Sequence, residues 1–156
     1  MYTAEITNNT CIVLNDKSEK IGELIYHKRF NRTACDIFID NKKYEAFRTK
    51  FFQKNIEVML DGNPAFKFII NSWFGNAVIS PIDYKLKGIS SWSGGTRLLD
   101  NNDNLMLTIK KSGGIFTSNK FQIEISDSSI SPLYLMLSVY FHIYSSHNKR
   151  MMVAAS

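Results

Sequence analysis

Eight cations stand between residues 28 and 54 of this 156-residue chain: Lys28, Arg29, Arg32, Lys42, Lys43, Arg48, Lys50 and Lys54. Only Asp36, Asp40 and Glu45 oppose them, so this stretch accounts for the whole net charge of +5. Clustered cations attract phosphate, in a lipid headgroup or in nucleic acid, and salt weakens the attraction. Lys28, Arg29, Arg32, Lys42, Lys43, Arg48 and Lys50 are the candidate anionic-ligand residues. Charge reversal at Lys42 and Lys43 is expected to abolish such binding. A solvated face of two hairpins is the plainer alternative.

Aromatic side chains in predicted turns offer a second chemistry. Trp73, Phe74 and Trp92 are candidate partner-binding residues, because an aromatic ring on a turn can anchor a protein or a membrane interface. Their bland role is to plug the ends of the fold. Tyr44, Phe47, Phe51 and Phe52 could stack bases beside the cations. They are expected to face the core instead, so nucleic acid is not indicated.

Catalytic and metal chemistry find little purchase. His27, His142, His147, Cys11 and Cys35 form no close pair, and His142 and His147 are five residues apart, off one helical face. There is no Gly-x-Ser-x-Gly elbow and no phosphate-cradling glycine loop. Ser93-Gly94-Gly95-Thr96 and Ser112-Gly113-Gly114 read as turns. Asp100-Asn101-Asn102-Asp103-Asn104 has the oxygens for calcium but not the twelve-residue loop with its closing glutamate. No catalytic residue, metal ligand or cofactor is therefore expected.

The elements that position these residues are mostly short strands. Thr10 to Leu14, Ile21 to Lys28, Ile56 to Leu60, Ala65 to Ile70 and Leu105 to Lys110 are apolar or alternating runs bounded by turn residues. Phe121-Gln122-Ile123-Glu124-Ile125 alternates most cleanly. On the run from Tyr44 to Thr49, Tyr44, Ala46 and Arg48 share one face, with Glu45, Phe47 and Thr49 on the other. Ala4 to Ile6 reads as an edge strand. Asp61-Gly62 is the strongest hairpin signal. Ten to twelve strands of this kind make an all-β sandwich or barrel. Four of the turns echo one another, each placing an apolar pair before an Asx-type turn: Val13-Leu14-Asn15-Asp16, Phe38-Ile39-Asp40-Asn41, Met59-Leu60-Asp61-Gly62 and Leu98-Leu99-Asp100-Asn101.

The exception is residues 131–146. Ser131 is a good N-cap, Pro132 a natural first helical residue, and only Ser138 and His142 interrupt an apolar run covering every face. Such a helix must be buried on all sides. Its apolar core of about 15 residues falls short of the ~20 needed to cross a bilayer. A lone histidine there reads as a satisfied core residue. The residues after 150 read as a short tail. The first residues have no basic or apolar leader, and two cysteines are too few for a disulfide framework. A reducing, cytoplasmic setting is expected, with a peripheral place at a membrane open to it.

The repeated apolar-Asp-turn-apolar hairpins, Leu98 to Lys111 above all, resemble the tubby C-terminal-like superfamily. The LURP-one-related and phospholipid-scramblase-like branch is the most similar. The resemblance spans nearly the whole chain and implies a twelve-stranded antiparallel β-barrel closed around a hydrophobic C-terminal helix, with 131–146 as that helix. Tubby proteins bind phosphoinositide headgroups through basic residues on the barrel wall, and scramblase-like members associate with membranes and bind calcium. None of the tubby headgroup residues aligns to a particular position here. The expectation is one mainly β domain over 1–156: a non-enzymatic binding module for anionic phospholipid or phosphoinositide headgroups, or alternatively for a protein partner.

Overall fold

The computed structural model describes residues 1–27, 34–48, 55–72, 75–89, 94–112 and 119–155, without the side chains of residues 72 and 147–155. Twelve strands follow one another: β1 (Tyr2–Thr7), β2 (Thr10–Leu14), β3 (Lys20–Tyr26), β4 (Cys35–Ile39), β5 (Lys42–Phe47), β6 (Ile56–Leu60), β7 (Asn63–Ser72), β8 (Asn76–Ser80), β9 (Tyr84–Gly88), β10 (Gly95–Leu99), β11 (Leu105–Lys111) and β12 (Lys120–Ile125). Helix α1 (Pro132–Ala155) ends the chain. Each strand pairs antiparallel with its sequence neighbours. β1 closes the circle on β12, from Tyr2↔Ile123 to Glu5↔Lys120. The first strand is therefore no edge: it is the seam of a closed barrel, which removes every unpaired strand edge.

Period-two patterning decides which way the wall faces. Cys11 and Val13, Cys35 and Ile37, Ile56 and Val58, and Phe121 and Ile123 turn inward and are buried. Lys43, Glu45, Lys85, Lys87, Arg97, Lys110, Gln122 and Glu124 alternate outward. An apolar lumen inside a charged wall is the reverse of a membrane-spanning barrel. Among the described residues, no helix is long and apolar enough to cross a membrane.

The lumen is filled by α1, which touches the wall all round. Tyr134 meets Phe66 of β7 and Tyr84 of β9, with ring centroids 6.0 and 5.0 Å away. Tyr140 packs on Tyr26 of β3 and Phe68 of β7 at 6.4 and 5.7 Å. His142 lies 4.8 Å from the Phe121 ring of β12, and its Nδ1 is 2.8 Å from the Thr96 hydroxyl of β10. That bond makes His142 a satisfied core residue. The helix comes closest at β3, where Gly22 leaves room for Met136: a Cβ there would stand 3.0 Å from its sulfur and 2.8 Å from the Phe38 carbonyl.

Helix α1 starts as its sequence dictates. Ser131 accepts the Leu133 amide on its Oγ and the Leu135 amide on its carbonyl, at 3.3 and 3.2 Å. Its end differs from expectation: the helix continues past Ser146 to Ala155, and Lys149 and Arg150 stand within it. No glycine or proline follows Pro132 to stop it, and Met151 to Ala155 are mostly good helix formers.

Because the chain meanders, its connections alternate between two ends. One end is made of short turns, 15–19, 40–41, 61–62, 81–83 and 100–104, plus the 126–131 lead into α1. Positive φ at Ser18, Asp40, Asn41, Asp61, Gly62, Asp83 and Asp103 explains their Asx and glycine content. Two of the echoing turns are the same structure. Asn15 Oδ1 accepts the amides of Lys17 and Glu19, and Asp100 Oδ1 those of Asn102 and Asn104, all at 2.9 Å. Each follows a register shift, after Val13 and after Leu98.

Candidate functional site

Topology sorts charge between the two ends. The turn-end connections carry eight acids, Asp16, Glu19, Asp40, Asp61, Asp83, Asp100, Asp103 and Asp127, against one cation, Lys17. The other end joins β1–β2, β3–β4, β5–β6, β7–β8, β9–β10 and β11–β12. By sequence these connections hold six cations, Lys28, Arg29, Arg32, Arg48, Lys50 and Lys54, and no acid at all. Helix α1 starts at the acidic end and runs toward the basic one. Its 24 residues span about 36 Å, against roughly 16–23 Å for a strand of five to seven residues.

The sequence-predicted residues divide accordingly. Lys28, Arg29, Arg32, Lys50, Trp73, Phe74 and Trp92 lie outside the described residues. Each belongs by chain connectivity to a basic-end connection. Lys42 opens β5 beside the Asp40-Asn41 turn, at the acidic end. It stands about 20 Å along the strand from Arg48. Lys43 faces outward and pairs with Glu45 at 3.3 Å. Both border a cleft of about 360 Å³ that also takes in Phe47 and the His27–Asp36 pair, at 3.2 Å. The described members, Lys42, Lys43 and Arg48, are thus spread over an end, a wall and the lumen.

Arg48 continues the inward face of Tyr44 and Ala46. Its Nη2 donates to the Tyr144 hydroxyl of α1 at 3.3 Å. Its Nε is buried without a hydrogen-bond partner, as is the Tyr26 hydroxyl on β3. Burial pushes the Tyr26 and Tyr140 phenols well above their usual range, and the nearby Arg48 charge offsets little of it at Tyr140. Both therefore stay protonated donors at neutral pH. Burial likewise pushes the Cys11 thiol up to about 12 and that of Cys35 higher still. Both cysteines are free. They face inward on β2 and β4 with β3 between them, about 10 Å of sheet, beyond disulfide reach.

Among the described residues no group of three His, Cys, Asp or Glu side chains could hold a metal ion. The Asp100 turn uses its oxygens internally. Hydrogen bonds from the Asn104 backbone and side chain and from the Asn102 backbone hold the Asp100 carboxyl below the usual range. Asp103 is lowered by Lys85, 2.6 Å away.

One cluster could not be read without the strand register. On the outer wall Arg97 stands directly opposite Lys87 of β9, and Lys110 lies diagonally on β11. All three are exposed, and the nearest outward acid toward β12 is Glu124, beyond Thr108. Alternation within each strand marks them as outward, but only the pairing brings them together. Comparison with family models, with curated proteins and with solved structures finds no match for this chain.

Proposed function

We propose that the protein is a non-enzymatic binding module that docks on anionic phospholipid surfaces through the basic end of its barrel. One observation carries this reading. The meander places all six cation-bearing or neutral connections at one end, free of acids, and collects eight turn acids at the other. The resulting polarity turns the basic end toward a negative surface, each cation near it contributing about 1 kcal/mol. Trp73, Phe74 and Trp92 share those connections and supply rings suited to an interface. The reading agrees with the tubby-like resemblance and with a cytoplasmic protein that visits a membrane.

Co-sedimentation with neutral and anionic vesicles, at low and physiological salt, tests it. Binding is expected for anionic vesicles only, weakened by salt and lost in Lys28→Glu/Arg29→Glu. The Lys42→Glu/Lys43→Glu variant is expected to keep it, since Lys42 stands at the acidic end and Lys43 is already paired. Salt-independent binding, or none, would sink the membrane reading and favour a protein partner held by the aromatic connections.

A further inference from the structure

Arg48 follows β5 and continues its inward face, and among the described residues no acid answers its charge. The strand acids Glu5, Glu23, Asp36, Glu45, Glu57 and Glu124 all alternate outward. The connections at this end contain no acid. The guanidinium therefore turns one edge to the Tyr144 hydroxyl and keeps Nε buried and unpartnered. A buried donor left without a partner is costly unless an acceptor meets it. The orphaned Tyr26 hydroxyl repeats the pattern on the same face of α1: Tyr26 stacks on Tyr140, one helical turn before Tyr144.

We propose that the basic mouth of the barrel holds a receptor for a small oxyanion, with Arg48 as its principal donor. The planar guanidinium edge offers N–H groups in the fork that carboxylate and phosphate oxygens match. Tyr144 fixes that fork by accepting from Nη2, so Nε stays directed at the ligand. The buried Tyr26 phenol stays protonated, so it adds a donor and no competing charge. The site stands on Arg48, Tyr144 and Tyr26 and does not depend on membrane docking.

The test is a titration of the full-length protein with inorganic phosphate against sodium chloride at matched ionic strength. The Nε–H resonance of Arg48 is followed by nitrogen-15 NMR and the melting temperature in parallel. Phosphate is expected to move that resonance saturably and to raise the melting temperature beyond the chloride control. Arg48→Met should weaken the effect by about tenfold or more, while Lys28→Glu/Arg29→Glu keeps the saturable component. An Arg48 resonance that does not move in the wild type overturns the proposal whether or not the variant folds. So does an undiminished thermal effect in Arg48→Met. Phosphate binding without vesicle binding leaves this site standing and removes the membrane reading; vesicle binding without the Arg48 response does the opposite.

Discussion

At the level of single residues, Gly22 shows how closely wall and helix meet. Its missing side chain admits Met136, and the opposing Phe38 carbonyl, 2.8 Å from where a Cβ would sit, belongs to a paired strand that cannot retreat. Gly22→Ala is expected to lower stability by about 1–3 kcal/mol, the usual cost of overpacking a filled core. Denaturant melts would read the change, and an unaltered midpoint would mean the wall yields more easily than its geometry implies. A glycine inside a strand signals by itself no more than a bulge, and a register shift does lie beside its partner Val13. Its packing role needs the helix in place. Arg48 is a similar case. Alternation after Tyr44 and Ala46 points it inward, whereas its company of cations suggests a surface patch. The strand period prevails because pleating fixes side-chain direction whatever the charge.

Elements were more legible than residues. The β12 alternation and the all-apolar helix announce themselves, because burial on one face or on every face leaves a regular trace in the sequence. Strand β11 departs from its trace. Met106 and Thr108 face outward yet are buried, and Thr108 stands between Arg97 and Glu124, whose long side chains can cover it. The twin turns after β2 and β10 carry a prediction of their own. Both hang on one Asx oxygen accepting two amides, but Asn15 cannot titrate and Asp100 can. The folded pKa of Asp100 lies below the unfolded value of about 3.9, so its ionised form stabilises the fold above that pH. That contribution fades as pH falls through the folded pKa. Asp100→Asn keeps the Oδ1 acceptor and removes the titration. The melting temperature of the variant is expected to fall less steeply than wild type between pH 5 and 2, to the extent that Asp103 and Asp127, also lowered, leave room for it. Parallel pH profiles for the two proteins would show that the carboxylate is no part of the acid response.

For the whole molecule, the decisive property was hidden in parity. Charges are plain in the sequence, but which connections share an end depends on counting every strand correctly. One strand more or fewer between them would place the 28–33 and 49–54 stretches at opposite ends. Ten to twelve short strands, some without a sharp boundary, leave that count open. Closure resolves it: with β1 on β12, twelve strands alternate without remainder, and acids and bases separate. The same closure makes the first strand indispensable. Tyr2 to Thr7 hydrogen-bonds on both sides, to β12 and to β2, and seats Ala4 in the core. Deleting residues 1–7 would leave β2 and β12 as two bare edges flanking a slot onto the helix. Unpaired edges of that kind recruit other strands, so the shortened chain is expected to melt well below the full chain and to associate. Size-exclusion chromatography and thermal melts of the two chains decide it. A monomer with the parent melting temperature would mean the barrel holds as an open sheet around its helix. A shortened protein rescued by adding the 1–7 peptide in trans would show instead that the seam is a docking edge whose natural occupant is the chain's own first strand.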